Sequence, residues 1–370
     1  MLTTVLGTLL VLLATVYALA ALLWRARVLS AAPDAGPPLP VSVLKPLCGL
    51  EPRLERTLAT LCLQTHPHYQ LVFGVRDPGD PAIAVVERLR RRFPALDIGL
   101  VIDPRVHGRN LKVSNLANMV DCARHPWLVI ADSDIVAGPD YLERVTAPLH
   151  ERGVGIVTCQ YYGCPLGGFW TRLGALFIDT WFMPSVRVAS RAGSSAFGFG
   201  ATIALRADTL RAIGGFAALK DRLADDFWLG ELTRRIGLRT VLSDVWVGTD
   251  VFETGFGALW SRERRWMQTI RSLNPPGYAF SFITFTLPML ALGLWLAPFS
   301  WNWALAAIGA AARLGLHWHP PAPGVPAPGH ALLAPLRDGL LVLEWLSGFV
   351  GSRTRWRRHV LPIDTRTRTP

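Results

Sequence analysis

Four groups of charged residues fall in a fixed order along the 370-residue chain: Asp77, then Asp132-Ser133-Asp134, then Asp225-Asp226, then Arg262-Glu263-Arg264-Arg265-Trp266. Asp132 and Asp134 follow the apolar run at 127–131, which reads as a strand. Two carboxylates two residues apart at a strand end can share a hard cation, Mg2+ or Mn2+, which would bridge a diphosphate and neutralise its charge as it leaves. Arg262, Arg265 and Trp266 stand at i, i+3 and i+4 and so share one face of a helix. Two guanidinium groups there can grip the same diphosphate, with the indole lining the path of an acceptor. Asp77 follows the strand-like run LVFGV. Open α/β sheets bind ligands beyond such strand ends, and a carboxylate there can accept hydrogen bonds from a uracil ring or a ribose. Asp225-Asp226 opens a helical stretch, where like-charge repulsion raises the proton affinity of one acid. The set contains the parts needed to move a sugar off a nucleotide diphosphate.

Each group also has a plainer reading. Asp77 suits a turn before Pro78-Gly79, and Asp80 suits a helix N-cap before Pro81. The 132–134 trio reads as a surface turn, and the acids at 225–226 are favoured at any helix N-terminus. The arginine helix reads as a basic helix lying on lipid, with Trp260 and Trp266 toward the acyl chains. Lys112, between Asn110 and Asn115, stands at a helix start where backbone N–H groups and an ammonium favour an anion; it also reads as an exposed lysine. In Phe197-Gly198-Phe199-Gly200-Ala201 the small residues let backbone approach a sugar and phenylalanine can stack on it; a glycine-rich turn has the same composition.

The elements that must position these residues alternate from Val41 onward. VSVLK, LVFGV, IGLVI and WLVIA read as strands, with helices at 52–64, 81–93 and 111–124 between them. That alternation predicts an α/β fold, a parallel sheet with helices on both faces. Further helices are predicted at 168–180, 224–236 and 258–271.

Composition frames this domain with lipid. Hydrophobic residues make up 51% and charged residues 18%. Residues 2–23 carry no charge and are long enough to span a bilayer, and Arg25 and Arg27 follow, which places the next segment in the cytoplasm. A cleaved signal peptide is the rival, but it lacks a positive start. The uncharged region 273–312 predicts two spans with a break near Pro298–Asn302. Residues 331–350 carry Arg337, Asp338 and Glu344, which makes them a third span with a polar stripe or an interfacial helix. Three crossings would put the arginine-rich tail on the wrong side, so the charged segment is expected not to cross fully. The divisions are 1–24 membrane helix, 25–40 linker, 41–255 catalytic domain, 256–272 interfacial helix, 273–352 membrane region and 353–370 basic tail.

Other classes are disfavoured. The net charge is +11, but the arginines flank apolar segments, as at 25, 27, 353, 355, 357 and 358, which points to anionic headgroups and not to nucleic acid. Five cysteines without a CxxC spacing do not make a disulfide framework, and reduced thiols fit a cytoplasmic domain. No phosphate-binding Gly-x-x-x-x-Gly-Lys loop occurs.

The ordered motifs VSVLKPLCG from Val41, GVRDPGDPA from Gly74, NLKVSNL from Asn110, IADSDI from Ile130, FGFGATIALR from Phe197, LADDFWLGELTRRIG from Leu223 and RERRWMQTIR from Arg262 together carry a resemblance. They resemble the Asp, Asp, Asp, (Gln/Arg)-x-x-Arg-Trp pattern of inverting membrane glycosyltransferases. Within these they are similar to the ceramide glucosyltransferases, glycosyltransferase family 21, and to their bacterial hopanoid-biosynthesis branch. The resemblance implies a GT-A, Rossmann-like catalytic domain with membrane helices at both ends, on the cytoplasmic face of a bacterial inner membrane. It implies Asp226 as the base that deprotonates the acceptor hydroxyl. Asp77, Lys112, Asp132, Arg262, Arg265 and Trp266 would meet the donor, Asp132 and Asp134 the metal, and Phe197, Gly198, Phe199 and Gly200 the acceptor. The implied substrates are a UDP-sugar, N-acetylglucosamine by the hopanoid branch, and a lipid hydroxyl such as that of bacteriohopanetetrol. A ceramide glucosyltransferase using UDP-glucose shares the same residues. A catalytically inactive nucleotide-sugar-binding scaffold is the alternative of another class, against which the intact acids argue.

Overall fold

A computed structural model describes residues 1–24, 37–321, 324–351, 353–356 and 359–362. Arg25, Arg27, most of the expected linker, Arg357, Arg358 and the last eight residues of the tail lie outside the described residues. The chain forms two compact units, and the segment 41–255 is distributed over both.

One unit, holding residues 37–161 and Ser194–Asp250, is built on an eight-stranded sheet. Its strands are β1 (Val41–Pro46), β2 (Tyr69–Val75), β3 (Asp97–Ile102), β4 (Trp127–Ile130), β5 (Ile135–Val136), β6 (Val154–Pro165), β7 (Ile203–Arg206) and β8 (Arg239–Val251), in the order β3-β2-β1-β4-β7-β6-β8-β5. The four expected strands form its parallel half, with β1 between β2 and β4. The whole sheet is mixed, since β4 and β6 both pair with β7 antiparallel and β5 pairs with β8 antiparallel. The expectation of a parallel sheet is corrected here. Helices also stand between the later strands, but β7 enters the sheet opposite in direction to both β4 and β6.

The helices between the parallel strands follow from their patterns. In Leu54–Cys62 the buried residues Leu54, Thr57, Leu58, Leu61 and Cys62 recur at helical spacing. Ala82–Arg92 buries Ala82, Val85, Val86 and Leu89 and ends in Arg90, Arg91 and Arg92, which complement the dipole at its C-terminus. Asp80 sits where a cap is needed: its Oδ1 accepts the Ala82 N–H at 2.9 Å, and its carboxylate also accepts the Gly49 N–H.

The other unit holds the N-terminal helix Leu2–Leu23, Tyr162–Gly193 and the chain from Val251 onward. The N-terminal helix buries Gly7, Leu10, Val11, Ala14, Ala18 and Ala21 along one stripe and exposes Leu6, Leu9, Leu13 and Val16 on another. Leu10, Val11 and Ala14 form a core with Met289, Leu290 and Ala306 from the helices Thr286–Leu296 and Ser300–Gly315. Gly7 permits the close crossing, because a Cβ there would lie 2.8 Å from the Gly293 carbonyl.

Leu2–Leu23 is the one described helix that is by itself long and apolar enough to cross a membrane. The expected C-terminal spans are not seen as such. Thr286–Leu296, Ser300–Gly315 and Ala334–Gly348 have 11, 16 and 15 residues, whereas a hydrocarbon core of about 30 Å needs about 20 helical residues. Pro275–Thr284 and Thr286–Leu296 are long and apolar enough to cross only when taken together, across a 73° bend. The polar stripe of the Ala334–Gly348 helix turns inward. Arg313 donates to Asp338 at 2.6 Å, and Arg337 donates to Glu263 at 2.8 Å and to both oxygens of Glu344 at 2.7 Å, all five side chains being buried.

Candidate active site

Four of the expected aspartates and Lys112 meet in the sheet-bearing unit. Asp132 and Asp134 leave the end of β4, while Asp225 and Asp226 occupy the first turn of the helix Asp225–Arg235, where an acid complements the dipole. Lys112 joins the two pairs: its Nζ lies 2.7 Å from Asp132 Oδ1 and 3.4 Å from Asp225 Oδ2. Burial opposes its charge, yet Asp132, Asp225 and Asp226 hold it ionised well above its ordinary range. The neighbouring asparagines hold the backbone around the site, and Asn110 Nδ2 also donates to Asp225 Oδ1 at 3.3 Å. Asn110 Oδ1 accepts the Val113 N–H at 3.1 Å as the helix cap and its Nδ2 donates to the Arg222 carbonyl at 2.7 Å. Asn115 Nδ2 donates to the Gly74 carbonyl at 2.7 Å and so braces the end of β2.

Asp226 is aimed by backbone. Its Oδ2 accepts the Gly200 N–H at 2.8 Å and its Oδ1 accepts the Phe227 N–H at 2.8 Å. Desolvation and the neighbouring Asp225 push its carboxyl up to about 6, against the pull of Lys112. A carboxylate poised near neutrality and held in one orientation is suited to take a proton. The glycines of the 197–201 segment are there for space. A Cβ on Gly200 would stand 2.9 Å from Asp132 Oδ2, 3.3 Å from Lys112 Nζ and 3.4 Å from Asp226 Oδ2, so this backbone is where the three groups converge. A Cβ on Gly198 would collide with the Asp226 carbonyl oxygen. Phe197 and Phe199 stack with centroids 5.6 Å apart, and Phe199 meets Tyr161 edge-on.

The residues present fit a divalent cation. Asp134 Oδ2 accepts the Thr249 hydroxyl at 3.0 Å, and burial, Asp132 and Glu51 push its carboxyl up to about 7. Crowded acids of this kind are relieved by a cation. Among the described residues no group of three or more His, Cys, Asp or Glu has the geometry to hold a metal alone. Two carboxylates with diphosphate and water completing the shell is the common arrangement for Mg2+ at nucleotides.

Asp77 stands exposed two residues beyond β2, where its Oδ1 accepts the Gly79 N–H at 2.8 Å and closes a turn. Arg262, Arg265 and Trp266 belong to the other unit, on the helix Phe256–Leu273. Arg262 donates to Glu253 at 2.7 Å and to Glu263 and the Gly174 carbonyl at 3.3 Å. Its guanidinium lies 5.6 Å from the Trp266 ring, which packs against Phe177 and Phe182. Arg264 points elsewhere, to the Val350 carbonyl.

Two residues of the site were given no role by the reading of motifs. Glu51 accepts the Ser133 hydroxyl at 2.8 Å, and Lys45 is fully buried in β1 with Asp134, Asp132 and Glu51 as the charges that favour its ammonium. The signal for Lys45 was a charge in a strand whose other residues are uncharged. Nothing marks Glu51 in the sequence.

The mixed sheet with its acidic strand ends is a GT-A-like glycosyltransferase fold. Mannosyltransferase PcManGT from Pyrobaculum calidifontis, solved in complex with GDP-Man and Mn2+, shares it with a TM-score of 0.57 at 21% identity, over 94% of each chain. Residues 6–369 match Glycosyl transferase family 21, and the chain belongs to that family. Ceramide glucosyltransferase 1 of Caenorhabditis elegans is 26% identical over 212 residues, which are 57% of this chain and 45% of that one. The ceramide glucosyltransferase of Komagataella phaffii is 30% identical over 99 residues, 26% of this chain and 19% of that one. The matched regions thus span less than half the length of these curated relatives.

Proposed function

We propose that the protein transfers a sugar from a UDP-sugar to a lipid hydroxyl with inversion, using Asp226 as the base. The observation that carries this reading is the orientation of Asp226 by the Gly200 N–H beside Lys112 and Asp132. Asp132 and Asp134 would hold Mg2+ or Mn2+, which supplies charge neutralisation at the diphosphate when bound. The Mn2+ of PcManGT with its nucleotide sugar supports that assignment. Asp226 Oδ1 or Oδ2 takes the proton of the acceptor hydroxyl as its oxygen attacks the anomeric carbon, and direct displacement requires no second nucleophile. Asp77 is assigned to the nucleotide, Arg262, Arg265 and Trp266 to the departing diphosphate, and Phe197 to Gly200 to the acceptor.

The acceptor is proposed to be a hopanoid polyol such as bacteriohopanetetrol and the donor UDP-N-acetylglucosamine, on the resemblance of the motif set. The site would face the cytoplasm at a bacterial inner membrane, anchored by Leu2–Leu23. The names of the relatives favour a second reading, ceramide with UDP-glucose. Mass spectrometry of lipids from membranes given each donor and acceptor decides between them. The expected product is β-linked N-acetylglucosaminyl polyol; preference for ceramide and UDP-glucose moves the protein to the second reading, and an α linkage removes the single-displacement mechanism.

A further inference from the structure

Strand β1 carries a charge where packing alone would ask for an apolar side chain. Residues Val41 to Lys45 are all buried, and Lys45 is 0% exposed. Lys45 stands beside Phe73 of β2, and the carbonyl of Leu44 accepts the Ala131 N–H, one residue before Asp132. Its Nζ has no hydrogen-bond partner among the described residues. Asp134, Asp132 and Glu51 favour its charge and Lys112 opposes it. A buried ammonium without hydrogen bonds is costly, and burial does pull this one down to about 8. Only the nearby carboxylates offset that cost. Lys45 is shut off from solvent, and Lys112 already occupies the side of Asp132 shared with Asp225.

We infer that Lys45 is an internal counter-cation that sets how tightly the Asp132–Asp134 site takes a divalent cation. The inference rests on the metal reading above and deepens it. Before the cation arrives, the ammonium restrains the repulsion among Asp132, Asp134 and Glu51. Once it arrives, a single positive charge stands beside a double one and lowers its affinity. Firm binding then waits for the negative charge of the diphosphate, so that metal and nucleotide enter and leave together. Lys45 is a positioning residue by this account, since it acts through the charge of Asp132 and Asp134.

The test uses the full chain in detergent and Mn2+ alone, with free Mn2+ read by electron paramagnetic resonance. Lys45→Met keeps length and removes charge. It should bind Mn2+ at least about tenfold more tightly, while the metal-free variant melts at a lower temperature. Adding Glu51→Gln restores the charge balance and should return both quantities toward wild type. A residue needed only for packing would lower the melting temperature and leave Mn2+ affinity unmoved. Equal or weaker Mn2+ binding by folded Lys45→Met overturns the inference and spares the metal site. If Lys45→Met does not fold, folding of the double variant supports the charge role, and its failure overturns it. A wild-type chain that takes up no Mn2+ even when UDP is present overturns the metal reading and this inference together.

Discussion

Both units bury charge, and they do so in opposite ways. In the unit that carries the N-terminal helix, the buried charges close on one another. Arg337 spans Glu263 and Glu344 with short hydrogen bonds, and Arg313 holds Asp338, Thr180 and His317. In the sheet-bearing unit the four aspartates outnumber the two lysines that face them, Lys45 and Lys112, and two of those aspartates have raised proton affinities. A closed network contributes order and holds helices in register; an acid-rich cluster is unfinished and is completed by what binds there. The same residue types therefore report structure in one unit and chemistry in the other.

The contrast is broken most severely at Arg337. Arg337→Met leaves Glu263 and Glu344 buried without their cation, and a loss of about 3–5 kcal/mol is expected, read as the shift in denaturant or thermal midpoint in detergent. Unchanged stability would mean that the network is not closed as described. Asp226→Asn should do the reverse. It should reduce transfer by at least ~10²-fold, with UDP-sugar binding kept and the melting temperature not lowered, because it removes a charge from a crowded acidic site. Near-normal transfer by this variant would remove Asp226 from the mechanism.

The cation reading is sharpened by chelation. EDTA should abolish transfer and Mg2+ or Mn2+ restore it, and Asp134→Ala should weaken UDP binding only when metal is present. Full activity in thoroughly chelated buffer refutes the role. The smallest expected effect is at Asp225. The rate should fall on the acid side as Asp226 is protonated around its value of about 6, since only the ionised form accepts a proton. Asp225→Asn removes the like-charge neighbour, so this limb of the pH profile should move to lower pH with a modest change in maximal rate. A limb that stays in place, or a larger loss than in Asp226→Asn, would shift the assignment by one residue.

Much of the fold was legible because periodicity is local. The strands at 41–46, 69–75, 97–102 and 127–130 and the helices between them follow from runs of β-branched residues and from helical spacing of apolar ones. The antiparallel half was not, since the pairing of β7 with β4 and β6 depends on segments distant in the chain. The inward turn of Arg337, Asp338 and Glu344 was open between two readings because helical spacing fixes a stripe and not what it faces.

For the site, the sequence by itself determined the residue types, their order and their places at strand ends and helix starts: Asp132 and Asp134 after β4, Asp226 in a first turn. Only the tertiary structure decided that Lys112 bridges two of the acids, that Gly200 aims Asp226, and that Lys45 is buried with Asp134 among the charges that act on it. The physical reason is that charge acts through space. A carboxylate's proton affinity and a lysine's partner depend on which elements the sheet brings within a few ångströms, and no local pattern encodes that distance.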